Sequence, residues 1–346
     1  MKRILLLFFA AFAFISCENK VNNIERAAYY WKSGEWNKDP EDSIAKELQV
    51  KKIYVRFFDV EHDETMGNIP ISKTNWNSYA GNPKYLDSLI IVPTVYLKNE
   101  VFIKSSKKEI DTLAANVGYL ITKYEDEKFS ASKPATEWQM DCDWTLKSRD
   151  NYFYFLRQVK KLSGKTISCT LRLYPYKYPG KMGVPPVDKA MLMCYNLLNP
   201  LESKSKNSIL DVGELKLYFD KKRDYPLHLD VVLPTFSWML LYQNNHFVHV
   251  LEADNSAVKS VLKPTKPLWF EVSKDTVIDG VYLRTGDQVK YESATPEMLA
   301  ETIALLRENV VFDDHTTIAF FHLDKNLTHN YSHEALTRLY TDFSRE

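Results

Sequence analysis

The 346-residue chain lacks a net charge, its 45 Lys and Arg being offset by 45 Asp and Glu. Bulk electrostatics therefore gives it nothing with which to gather nucleic acid or an anionic membrane, and nucleic acid is not expected as a partner. Long apolar runs are also missing. The longest, Ile4 to Ile15, falls well short of the roughly 20 residues that a spanning helix needs. Cysteine is scarce: besides Cys17 there are Cys142, Cys169 and Cys194, an odd number in apolar, strand-like segments without metal-ligand spacing. Buried thiols are expected there rather than a disulfide framework or a zinc site. No internal repeat and no low-complexity tract occurs, and no cofactor is implied. What the chain does have is 45% hydrophobic, 13% aromatic and 26% charged residues, the composition of a folded protein with a large core.

The N-terminus has the anatomy of an export signal. Met1-Lys2-Arg3 is cationic, Ile4 to Ile15 is apolar, and Phe14-Ile15-Ser16-Cys17 places a small residue before cysteine in the manner of a bacterial lipobox. The expectation is a signal peptide over 1–16, lipid on Cys17, a polar tether over 17–26, and a protein held in the cell envelope of a bacterium by its lipid alone.

Beyond residue 27, strand-like and helix-like segments alternate, which favours parallel strands in an α/β protein. Eight runs read as strands: Ala27–Lys32, Lys52–Val60, Leu89–Leu97, Thr136–Trp144, Thr166–Tyr174, Ala190–Leu197, His228–Phe236 and Thr316–Leu323. Helices are expected over Asp42–Gln49, Glu109–Glu125, Lys147–Lys161, Ser208–Lys222, Pro296–Glu308 and Ser332–Phe343, with irregular connections at 68–83 and 179–186. Eight strands with this alternation predict a (β/α)8 TIM barrel over 27–346. Residues 243–292 interrupt it with short strand-like pieces, so a β-rich insertion is expected after the seventh strand, where it would wall one side of the barrel mouth.

The informative segment is Glu137-Trp138-Gln139-Met140-Asp141-Cys142-Asp143-Trp144. Alternation puts Glu137, Gln139, Asp141 and Asp143 on one face and Trp138, Met140, Cys142 and Trp144 on the other. The greasy face must meet the surrounding helices, so the acids point to the barrel axis, a costly place for charge unless it is paired or used. Arg172, inward on the next strand, is the obvious partner. Glu137, His228 and Asp230 come early on their strands and belong to a structural ion-pair layer. Asp141 and Asp143 come late, at the end of the barrel where active sites of this fold are built.

At this strand the sequence resembles the family 18 glycoside hydrolases, chitinase-like TIM barrels whose fourth strand carries Asp-Gly-x-Asp-x-Asp-x-Glu. Met193-Cys194-Tyr195-Asn196 resembles the same family's Met-x-Tyr-Asp. With Asp141 and Asp143 on the last two aspartates, the proton-donating glutamate falls on Thr145, and the Tyr-Asp aspartate is Asn196. A shift of two residues instead makes Asp143 the acid and Asp141 its support, with Gln139 in an aspartate's place. Taken whole, the chain looks closer to a group of bacterial TIM-barrel lipoproteins, through Ile53-Tyr54-Val55-Arg56 and Gln139-Met140-Asp141-Cys142-Asp143; that resemblance implies no activity of its own.

The expected function is a glycan cleft with an oligo- or polysaccharide as partner. As a glycoside hydrolase it would use Asp143 as acid, Asp141 as its partner and Tyr195 to support a substrate acetamido group. The alternative is a non-catalytic saccharide-binding barrel. Arg172, Asn196, Trp238, Tyr96, Tyr174 and His322 are the expected substrate contacts, with Trp31 a further aromatic near the mouth and Asp324 beside His322. Asp59, Glu61, His62 and Asp63 cluster after the second strand, but no spacing imposes a coordination shell and no metal site is assigned.

Overall fold

The computed structural model describes residues 21, 23–32, 40–72, 74, 85–128, 134–252, 256–278, 280–324 and 327–344. The expected signal peptide over 1–16 and Cys17 lie outside them.

Eight parallel strands close a ring: β1 (Asn23–Tyr30), β2 (Lys52–Asp63), β4 (Ile90–Leu97), β5 (Glu137–Asp141), β6 (Thr166–Arg172), β7 (Lys189–Met193), β8 (His228–Pro234) and β16 (His315–Phe321), with β1 pairing both β16 and β2. β3 (Gly67–Ile71) folds back antiparallel on β2 outside the ring. The fold is the predicted TIM barrel, and every predicted strand run overlaps an observed one. β1 begins at Asn23 rather than Ala27, inside the stretch read as tether. Its polar start looks like a linker, yet Glu25 is taken up by a bond from Lys52 Nζ at 2.5 Å.

The helices pack their apolar faces on the outside of the ring. Arg149–Ser163 buries Tyr152, Phe155, Leu156 and Val159, and ends where Gly164 takes the left-handed conformation (φ 63°) that glycine adopts without cost. Tyr152 Oη donates to the carbonyl of Met140 at 3.0 Å, tying that helix to β5. Trp138, Met140 and Cys142 join this outer core, as do Cys169 and Cys194; all three thiols are free and buried. The helix expected over Ser208–Lys222 contracts to Val212–Lys216. Among the described residues no helix is long and apolar enough to cross a membrane.

Inside the ring, a polar layer lies beneath an apolar one. Lys52 bridges Glu25 (2.5 Å) and Glu137 (3.6 Å), and Lys189 bridges Glu137 (2.8 Å) and Asp230 (3.0 Å). Asp230 also contacts His228 at 3.2 Å and accepts the Thr317 N–H at 2.7 Å. Burial opposes the ionised form of Asp230, yet His228 and Lys189 outweigh it and hold this carboxyl below the usual range. Above this layer sit Ala27, Tyr29, Tyr54, Val92, Met191, Met193, Tyr195, Val232 and Ala319. Tyr29 stacks on Tyr54 at 4.8 Å and donates to Gln139 Oε1 at 2.7 Å.

Between β8 and the helix Pro296–Asn309, the chain builds the expected insertion. Its bounds are wider than 243–292: β9 (Ser237–Gln243), β10 (His246–Glu252), β11 (Leu262–Lys266), β12 (Trp269–Val272) and β15 (Gln288–Ser293) form an antiparallel sheet in the order β10-β9-β15-β12-β11. β13 (Thr276–Ile278) and β14 (Val281–Leu283) make a separate hairpin. The sheet has a core of its own around Met239, Leu241, Val272, Leu283 and Val289.

Candidate functional site

The loops after β5, β6, β7 and β8 enclose a cleft of about 1010 Å³ at the C-terminal end of the barrel strands. Its size is that of a pocket for an organic ligand. Asp143, Arg172, Tyr174, Tyr195, Asn196 and Trp238 all line it, so six of the expected site residues come together.

Asp143 does not sit on the strand as predicted. β5 stops at Asp141, and Asp143 lies in the following loop, exposed to solvent. Arg172, the last residue of β6, reaches across and binds it with both edges of one fork: Nε to Oδ1 at 2.5 Å and Nη2 to Oδ2 at 3.1 Å. A planar guanidinium matches a carboxylate in this bidentate manner. Burial works against the Arg172 charge, but the hydrogen bond and charge of Asp143 outweigh it and raise its pKa. The guanidinium also lies 5.9 Å over the ring of Tyr195, and Nη1 is buried without an acceptor among the described residues.

Asp141 is the last residue of β5 and is 6% exposed. It does not line the cleft. Its Oδ1 accepts from Thr170 Oγ1 at 2.6 Å. Burial first, and the charge of Asp143 second, push its carboxyl from 3.8 up to about 6, while Arg172 and Thr170 pull the other way. The two aspartates thus part company: one is solvent-facing and clamped, the other buried and reluctant to ionise.

Tyr195 and Asn196 lie beyond the end of β7 at Met193, where a continuous strand to Leu197 was expected. The Tyr195 ring packs 5.3 Å from Phe321 and 5.8 Å from Phe236, and its buried hydroxyl has no partner among the described residues; burial raises its pKa. Asn196 takes a left-handed conformation (φ 53°), which asparagine tolerates better than most residues, and its N–H bonds Ile209 O at 2.8 Å. That turn ends the strand. Tyr174 lies in the short helix Leu173–Lys177 rather than on β6. Its ring is exposed beside Tyr178 at 4.8 Å, and its hydroxyl accepts from Lys181 Nζ at 3.0 Å.

Three expected contacts do not line the cleft. Tyr96 stands beside Asp141 in register, half-buried, its hydroxyl pushed up to about 12 by burial and by Asp143 and Asp141. His322 is pressed into the protein 3.8 Å from Asp324, and burial lowers its pKa. Trp31 packs inward against Phe321 (5.7 Å) and Tyr29 (6.1 Å) under the guanidinium of Arg56. Trp31 and His322 are taken up by ring contacts with Phe321, at 5.7 and 5.6 Å, at the top of the aromatic core.

The acidic group expected after the second strand lies on β2 itself, which runs on to Asp63 because β3 pairs with its far end, and its members have separate partners. Asp59 is clamped by Arg56, Glu61 binds Lys98 Nζ at 2.5 Å, His62 bonds Asn68 at 2.9 Å, and Asp63 caps the turn at Thr65 and Met66. No set of three metal-binding side chains occurs among the described residues.

Four residues of consequence escaped the sequence reading. Lys147 and Lys181 line the cleft. Glu292, on β15, is 0% exposed and accepts Trp238 Nε1 at 2.6 Å, Ser208 N at 2.8 Å and Ser208 Oγ at 2.6 Å. Lys290 binds Glu292 at 2.6 Å and donates to the carbonyls of Ser203 and Lys206. Lys290 and Glu292 alternate with Val289 and Tyr291, a pattern that reads as a solvated strand face until the 203–208 loop is laid over it.

The fold is a (β/α)8 barrel with its cleft at the C-terminal end of the strands. The chain is similar to the Bacillus cereus spore cortex-lytic enzyme SleL, at 13% identity and a TM-score of 0.50 over 94% of this chain and 75% of that one. The GH18 chitinase ChiB from the chitin utilization locus of Flavobacterium johnsoniae is 10% identical, with a TM-score of 0.47 over 93% and 95%. A class V chitinase from Nicotiana tobaccum, in complex with NAG4, is 10% identical, with a TM-score of 0.45 over 93% and 99%. No family model and no curated protein sequence matches the chain. At such identities the likeness establishes the fold alone.

Proposed function

We propose that this protein is a saccharide-binding barrel in which the glycosidase machinery is absent from the cleft. One observation carries the reading: Asp143, the one carboxylate lining the cleft among the described residues, gives both its oxygens to Arg172. Glycoside cleavage needs a protonated acid within reach of the leaving oxygen. Both Asp143 oxygens are occupied by the Arg172 fork rather than free to meet a leaving oxygen, and two residues further on, where the resemblance would put a glutamate, stands Thr145. The remaining surface suits a sugar, with the Trp238 indole as a face for stacking and Asn196 as a hydrogen-bonding group.

The test is a glycan array followed by calorimetry on the hits, with reducing ends measured in parallel. Binding without release of reducing ends, lost in Trp238→Ala, supports the reading; turnover abolished by Asp143→Asn refutes it.

A second reading, hydrolysis, is favoured by the Asp141 carboxyl, whose rise to about 6 suits a proton donor. In the arrangement suggested by the sequence, Asp143 would be the acid, Asp141 its partner and Tyr195 a support for the acetamido group. The raised Asp141 carboxyl and the Asp143–Arg172 ion pair favour exchanging the first two roles. Residues 1–17 further support export and lipid attachment at Cys17, and with it a place in the cell envelope; a lipid mass on the N-terminal peptide would establish it, and an unmodified Cys17 would end it.

A further inference from the structure

The charge of the cleft departs from that of the whole chain. Lys147, Arg172 and Lys181 line the cleft with a single anion, Asp143, among residues that are otherwise apolar or neutral, in a protein whose net charge is zero. Arg172 and Asp143 cancel one another. Two ammonium groups are left over. Lys181 is presented by Tyr174, whose hydroxyl accepts from Nζ at 3.0 Å while the ring lies 5.6 Å beneath it. Lys147, in the turn before the helix Arg149–Ser163, is exposed and makes no ion pair among the described residues. On the wall from the loop after β7 and the insertion stand Leu197, Leu198, Pro200 and Trp238. A concave surface with charge of one sign and low-dielectric walls focuses its potential on whatever enters.

We propose that the cleft selects saccharides bearing a carboxylate or a sulfate, with Lys147 and Lys181 reading the negative charge while an uncharged sugar face rests on Trp238. This rests on the saccharide-binding reading and narrows it to an acidic ligand class. A lysine is a point charge on a flexible stem, so it demands an anion without dictating whether that anion is planar or tetrahedral.

The experiment compares three tetrasaccharides by calorimetry at low ionic strength: unsulfated chondroitin, carrying carboxylate only; keratan sulfate, carrying sulfate only; and chitotetraose, uncharged. The expected result is about tenfold tighter binding of one or both charged ligands than of chitotetraose, as two exposed charge contacts allow. The charged ligand that binds tells which anion is read. That preference should shrink at about 0.5 M salt, where screening is short-ranged, and the affinity ratio should fall to about one in the Lys147→Gln/Lys181→Gln double variant. Chitotetraose binding as tightly as both charged ligands would overturn the proposal and leave the saccharide reading standing. A preference that survives in the double variant would overturn the assignment to these lysines. Failure of all three ligands to bind would overturn the proposal and count against the saccharide reading with it.

Discussion

Glu292 accepts the indole N–H of Trp238 at 2.6 Å from a position with no solvent exposure, and the same carboxylate is held by buried Lys290 and by Ser208. The inserted sheet thereby fixes both an aromatic face of the cleft and the 203–208 loop behind it. Glu292→Gln leaves Lys290 buried without its counter-charge, which is expected to cost about 3–5 kcal/mol. Urea denaturation checks the loss, and Trp238 emission, isolated by difference against Trp238→Phe, should shift as the indole exchanges a carboxylate acceptor for a neutral amide oxygen. Adding Lys290→Met should recover part of the stability. A Glu292→Gln protein as stable as the parent would show that the pair holds nothing.

The layer beneath the cleft gives a second prediction. Lys189 sits between Glu137 and Asp230, whose side chains are 7% and 2% exposed, so Lys189→Met would remove the nearest cation from both at once, leaving Glu137 to Lys52 at 3.6 Å and Asp230 to His228 and the Thr317 N–H. A loss of about 3–5 kcal/mol is expected from breaking a buried pair by removing one partner. The urea midpoint measures it. A loss below about 1 kcal/mol would mean that water reaches the layer.

How far the sequence carried these conclusions depends on what each residue's neighbours in sequence reveal. The strict alternation of Trp138, Met140 and Cys142 with Gln139 and Asp141 revealed which way β5 faces, because a two-residue period leaves only one face for the helices. Glu137, His228 and Asp230 were legible as a structural layer from their early places on the strands. The strand ends were not: β6 passes at Arg172 directly into the helix Leu173–Lys177, and β7 stops at Met193 before the left-handed Asn196, changes that no local pattern announces. Lys290 and Glu292 were hidden for a different reason. Their burial is made by a segment more than 80 residues away, at Ser203 to Ser208.

Asp141 predicts a pH dependence of stability. Its carboxyl is raised from 3.8 to about 6 on folding, so between these values the folded chain holds a proton that the unfolded chain has released. Stability from this group is therefore highest below about pH 4 and falls as pH rises through 6. Two units correspond to about 3 kcal/mol. Asp141→Asn keeps an oxygen for Thr170 and removes the titration. Relative to the parent, it should gain up to that amount between pH 4 and 6.5, read from urea midpoints across the range. A stability difference flat with pH would refute the raised carboxyl.

The ion pair next to it makes the cause of that shift separable. Asp143 raises the Asp141 carboxyl by repulsion between like charges, whereas Arg172 lowers it by attraction. Asp143→Asn should therefore move the Asp141 titration below 6, and Arg172→Met should move it above, with burial left in place in both. Carbon-13 titration of the labelled Asp141 carboxyl follows each displacement directly. Shifts in the same direction in the two variants would show that Asp143 and Arg172 act on Asp141 through a change of its burial rather than through their charges.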